Sequence, residues 1–157
     1  MTVTMTIDES AFVGSVIEEL NKAKIRCHAA MAQEFGESVI RNMESAGQYD
    51  SAASWDSLGY MYANEMHGGN RTPHLTLSGD LKDSIIAGIS ADSESGEVST
   101  SIPYARFHQE GGISKFQGKE YEIPARPFFP IDGGEILPLT ASRCVQACAE
   151  ELQQALQ

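Results

Sequence analysis

The chain has 157 residues, enough for one domain of ordinary size and too few for two independent cores. Its 22 acidic side chains outnumber 11 Lys and Arg, and the formal net charge of −11 argues against a sequence-general grip on nucleic acid, which needs a basic surface to displace phosphate counterions. No apolar run approaches the roughly 20 residues of a membrane-spanning helix, and residues 1–10 lack the basic start of a secretory signal. Three cysteines, Cys27, Cys144 and Cys148, leave one over in any intramolecular disulfide scheme, so free thiols in a reducing cytoplasm are expected.

Residues 8–46 carry the strongest pattern. Phe12, Val16, Leu20, Ala23, Cys27, Met31, Phe35, Val39 and Met43 fall every three or four positions, the spacing that lines one helix face. One uninterrupted helix here would be a rod of roughly 50 Å, unless Gly36 breaks it in two. Such a rod has more apolar stripe than a small domain covers, which makes Val16 and Leu20 candidate subunit contacts. Gly47 is the expected terminator. Residues 47–79 read as irregular chain around Trp55, with a short helix near 56–66 and a loop through His67-Gly68-Gly69 to Pro73.

After Gly79 the period changes. Residues 81–90 start as a helical turn and continue as a strand through Ile85, Ala87 and Ile89, which pairs as a hairpin with residues 97–102. Residues 104–110 form a helical turn ended by Gly111. Residues 113–118 read as a loop carrying Lys115, with Lys119 beyond it. Residues 121–123 and 128–131 read as short strands, and Asp132-Gly133-Gly134 as a turn. A final helix at 140–157 opens on Thr140 as N-cap and is striped by Ala141, Val145, Cys148, Leu152 and Leu156. The expected architecture is one α+β domain, 1–157, in which a long N-terminal helix and a C-terminal helix pack on a small antiparallel sheet of about four strands within 77–132.

The chemistry-bearing residues assemble into no reactive motif. None of His28, His67, His74 and His108 forms a pair at the helical spacing of a two-histidine metal site, and Glu65, His67, His74 and His108 are the only set from which a metal-dependent hydrolase is conceivable. There is no Gly-x-Ser-x-Gly elbow, no Gly-x-Gly-x-x-Gly turn and no P-loop. No catalytic residue, metal ligand or cofactor is therefore assigned. What stands out instead is a stretch chosen for shape, Glu122-Ile123-Pro124-Ala125-Arg126-Pro127-Phe128-Phe129-Pro130. Proline fixes its own φ and pushes the preceding residue into extended geometry. Arg126 is thus aimed, and its guanidinium is expected to brace Glu110 or the carbonyls ending the 104–109 turn.

Three ordered motifs, Leu77-Ser78-Gly79-Asp80-Leu81 with Ser84-Ile85, then Tyr104-Ala105-Arg106-Phe107-His108-Gln109-Glu110-Gly111-Gly112, then Ile123-Pro124-Ala125-Arg126-Pro127-Phe128-Phe129, resemble the virion morphogenesis family of tailed bacteriophages, which includes tail completion proteins of Mu-like phages. The likeness spans about residues 50–132 and departs at Glu110, where the family commonly carries an aromatic or aliphatic residue. It implies a non-enzymatic neck or tail completion protein between tail tube and head connector, made in the host bacterial cytoplasm and ending in the virion. It also implies no cofactor, a six-fold ring of the chain with itself, and neighbouring neck and tail proteins as partners. Genomic DNA would pass through the ring without specific binding, and no membrane is involved. Tyr104, His108, Gln109, Gly111, Pro124, Arg126, Pro127 and Phe128 would be its structural motif. Lys115 and Lys119, with Val16 and Leu20, would be subunit contacts, the lysine loop ordering against a neighbour's acidic patch. A binding adaptor outside any virion is the alternative.

Overall fold

The computed structural model describes residues 9–50, 55–57, 68–69, 75, 78–116 and 118–155. Helix α1 (Glu9–Glu44) runs for 36 residues, about 54 Å, without interruption at Gly36. Gly36 is buried, and its missing side chain makes room for a hairpin. A Cβ there would sit 2.6 Å from Ile89 Cδ1. That hairpin joins β1 (Ile89–Ala91) to β2 (Gly96–Val98), antiparallel, with Ile89 opposite Val98. From the other side, Gly96 lies so close to α1 that a Cβ would meet the His28 carbonyl oxygen at 2.6 Å. The two glycines let a strand ribbon rest on a helix backbone.

The two positions differ in what gives way. At Gly36 the obstacle is the end of a flexible side chain, and alanine also improves helix propensity by about 1 kcal/mol. At Gly96 the obstacle is main chain. Gly36→Ala is therefore expected to leave stability within about 1 kcal/mol of the parent, and Gly96→Ala to lower it by about 1–3 kcal/mol. Urea midpoints of the two variants check this, and equal losses would contradict the backbone contact.

Helix α1 ends in a left-handed turn, Ala46 at φ 55° and Gly47 at φ 78°. The Gly47 N–H donates to the Asn42 carbonyl at 2.8 Å. Trp55 lies on the bare Gly47 backbone, where a Cβ would approach its indole Nε1 to 2.5 Å.

Helix α2 (Asp80–Ala87) keeps Ile85 and Ala87 helical, in place of the strand expected there. Leu81 and Ile85, four apart on one face, are both buried and hold the turn in the core. Helix α3 (Ala105–Glu110) ends at Gly111, φ 72°. Next, β3 (Gly112–Phe116) and β4 (Lys119–Ile123) form an antiparallel hairpin whose contacts are chiefly between its own strands. Residues 113–116 are thus strand, not loop. Alternation around a tight Gly118 turn outweighed the scarcity of apolar anchors. Residues 124–130 join no ladder, because three prolines withhold the donors a strand needs. The last hairpin, β5 (Ile131–Asp132) with β6 (Glu135–Ile136), leads into α4 (Pro138–Ala155).

The α+β architecture with two terminal helices is as expected, and its short antiparallel strands are distributed over three two-stranded hairpins. The short helix read near 56–66 lies outside the described residues. The core is Val39, Met43, Ala46, Trp55, Leu81, Ile85, Ala105 and Phe128, with Phe35 and Phe129 against its edge.

Helix α4 lies antiparallel along α1. The Cys144 thiol reaches the Met31 carbonyl at 3.5 Å, the Cys27 thiol reaches the Cys148 carbonyl at 3.6 Å, and Arg26 meets Glu151 at 4.0 Å. The face turned to α1 carries Thr140, Cys144 and, from the expected stripe, Cys148, whereas Val145 is 65% exposed. Small thiol side chains allow a close approach that Val145 would prevent. The three cysteines are free thiols. Burial, with Cys148 beside it, pushes the Cys27 thiol up to about 11, so it is inert at neutral pH.

Candidate functional site

The three sequence motifs meet at the segment 126–129, which no strand supports. Its backbone is held by groups from three other parts of the chain, α3, Trp55 and α1. The Arg126 N–H donates to the His108 carbonyl at the end of α3. Trp55 Nε1 donates to the Pro127 carbonyl at 3.3 Å. Gln109 Oε1 accepts from both the Phe128 and Phe129 N–H groups, each at 3.0 Å, while its Nε2 faces the Phe129 carbonyl at 3.5 Å. Asn42 Nδ2 reaches the Phe128 carbonyl at 3.4 Å. One glutamine amide thus does what a neighbouring strand would do. Phe128, so anchored, is buried in the centre of the core.

The first motif contributes in the same manner. Leu81 and Ile85 fill the core, and the Ser84 hydroxyl bonds Thr100 Oγ1 at 2.9 Å and accepts from the Ser101 N–H at 3.0 Å. That fixes the chain leading from β2 into α3. Gly111 is required twice over, by its positive φ and because a Cβ would lie 2.9 Å from the Ala125 nitrogen and the Ile123 oxygen. Helix α3 and the proline stretch touch through that gap.

The Glu110 carboxylate pairs with Arg106 at 2.8 Å, one turn back on α3. The main-chain N–H of Arg126 reaches the end of the turn, and the Gln109 side chain bridges the same two segments. The Arg126 guanidinium acts on its neighbour electrostatically. Burial, and then the charge of Arg126, pull the His108 imidazole below its ordinary 6.5. Tyr104 packs edge-on against that ring at 5.6 Å.

The sign of the pH effect follows. A histidine with a lowered folded pKa stays neutral in the fold and takes up its proton more readily when unfolded. Its contribution to stability is present in full above 6.5 and is lost as pH falls below 6.5 toward the lowered folded value. Urea midpoints between pH 7.5 and 5 should fall in the parent and fall less in His108→Gln. Parallel slopes for the two proteins would contradict a buried neutral His108.

Two connections escaped the sequence. Asn42, fully buried among Val39 and Met43, accepts from the Asp50 N–H and donates to the Asp50 carbonyl, both at 2.7 Å. Asp50 Oδ2 in turn accepts from the Thr140 N–H at 2.7 Å and from the Thr140 hydroxyl. Helix α4 therefore begins at Pro138, with Thr140 inside its first turn, and its free N–H is met by a carboxylate from a remote segment. An asparagine inside an apolar helical stripe was the available signal for Asn42. Asp50 had none.

Of the expected contact residues, Lys115 pairs with Glu120 directly across its own hairpin at 2.8 Å, and Lys119 opens β4 opposite Phe116. Val16 and Leu20 are exposed, Leu20 at 60%. Glu65, His67 and His74 lie outside the described residues, and among the described residues no three His, Cys, Asp or Glu side chains are grouped to hold a metal ion. No helix among them is long and apolar enough to cross a membrane.

The profile of the phage virion morphogenesis family matches residues 10–136, from the first turns of α1 through β6. The chain belongs to the phage virion morphogenesis family. No curated protein and no solved structure matches it significantly. The family match takes in all three motifs, and a role in bacteriophage virion assembly comes with it.

Proposed function

We propose that this virion morphogenesis protein is a structural neck or tail completion subunit, forming a ring between tail tube and head connector. The observation that carries the reading is family membership across residues 10–136. The site agrees with it. The motif residues Gln109, Gly111, Pro124, Pro127 and Phe128 are spent on holding one non-ladder segment in the core, a use of side chains that serves shape rather than turnover. The long α1, apolar and exposed at Val16 and Leu20, supplies a surface for a neighbouring copy, and six copies is the proposed number. The strongly acidic chain suits a channel that DNA crosses without adhering, since like charge opposes contact.

Inactivating the gene in its phage tests the reading by electron microscopy of the lysate. Filled heads and finished tails that fail to join are expected. Joined, infectious particles without the protein would overturn it.

A further inference from the structure

Residues 13–20 of α1 extend past the packed end of α4 and are exposed along their whole length. Where α4 ends, Val16, Leu20, Ala23, Leu152 and Ala155 line a groove of about 390 Å³, rimmed by Glu19 and Arg26. We propose that this face is a seam for the α1 helix of a second copy of the same chain, lying parallel to the first. The inference rests on the self-association part of the reading above and names its contact.

The register supports it. Val13, Val16, Leu20 and Ala23 follow a three-four-three spacing, the core positions of a two-helix seam. Glu19 and Lys24 then occupy the two flanking positions. In a parallel pair the first flanking position of one helix faces the second flanking position of its neighbour five residues further on. Glu19 therefore meets Lys24 of the second copy, opposite in sign. An antiparallel pair would instead set Glu19 against Glu19, or against Arg26, which already meets Glu151 at 4.0 Å.

Glu19 shares Lys22 with Glu18, so turning to a second copy leaves Lys22 paired. Lys22 is held by Glu18 at 2.8 Å and by Glu19 at 3.0 Å, and the Glu18–Lys22 pair lies on the side turned away from the seam. Lys24 is exposed and ion-paired with no described residue.

Sedimentation equilibrium of the full chain over a dilution series is the test. The parent is expected to self-associate. Glu19→Lys and Lys24→Glu should each weaken association roughly tenfold, with unchanged helicity by circular dichroism. An equimolar mixture of the two single variants, and the double variant, should recover the parent's association to within about twofold. Leu20→Asp should abolish it. A parent that stays monomeric at high concentration, or single variants that associate like the parent, would overturn the seam. Weakened singles that the mixture fails to rescue would overturn its parallel register. If the charge exchange behaves as expected but phage lacking the gene still joins heads to tails, the neck reading falls and the seam stands.

Discussion

Replacing Asn42 with alanine is expected to lower the unfolding free energy by about 3–5 kcal/mol, a large part of what a domain of this size possesses. The Asn42 side chain is fully buried and holds three main-chain groups, the Asp50 N–H, the Asp50 carbonyl and the Phe128 carbonyl. Alanine strands these partners at about 1–3 kcal/mol for each one left dry, and adds a cavity. The damage spreads, because Asp50 positioned by Asn42 is the group that meets the Thr140 N–H in the first turn of α4. Asn42→Asp discriminates between shape and polarity. It keeps an acceptor for the Asp50 N–H but turns a second acceptor toward two carbonyls and buries a charge, so it should be at least as damaging as alanine. The single tryptophan, Trp55, sits on Gly47 just past the helix end and reports the loss by fluorescence during urea unfolding. A loss below about 1 kcal/mol for Asn42→Ala would mean the network follows the fold instead of holding it.

The elements written by periodicity were the legible ones. An apolar residue every three or four positions needs a helix whatever surrounds it, so α1 and α4 could be read directly, and Gly47 and Gly111 end helices where expected. Gly36 shows the limit. In a list of residues a mid-helix glycine is a weak point, whereas in the fold it is the place where β1 comes down on the helix, a fact set by Ile89, 53 positions away. Val145 fails for a related reason. The stripe has the right period and its Cys148 packs, but the exact face is chosen by how closely α1 and α4 approach, and the Cys144 thiol fits where Val145 does not. The site divides in the same way. Proline spacing and the Gln109–Gly111 turn mark where the chain is shaped, while the partners of Asn42 and Asp50 come from the meeting of segments distant in sequence.

Gln109→Ala should cost about 2–4 kcal/mol, more than any surface substitution on α3, and the reason is the number of groups one side chain serves. Phe128 and Phe129 both point their N–H groups at Gln109 Oε1. Pro124, Pro127 and Pro130 interrupt this stretch at every third residue, so no strand can register against it and supply acceptors instead. Removing the amide leaves two part-buried donors dry beside Phe128, the side chain at the centre of the core. Gln109→Glu separates acceptor from donor. A carboxylate still accepts from both N–H groups and loses only the long 3.5 Å contact to the Phe129 carbonyl, so about half or more of the alanine loss should be recovered. Arg126→Ala is the counterpart. Alanine retains the main-chain N–H of Arg126 that bonds the His108 carbonyl and removes the guanidinium charge beside His108. Arg126→Ala should raise the pH at which His108 protonates, read directly by NMR titration of the imidazole. If Gln109→Ala melts with the parent while Arg126→Ala unfolds, the guanidinium, not the amide, would be what ties the proline stretch to α3.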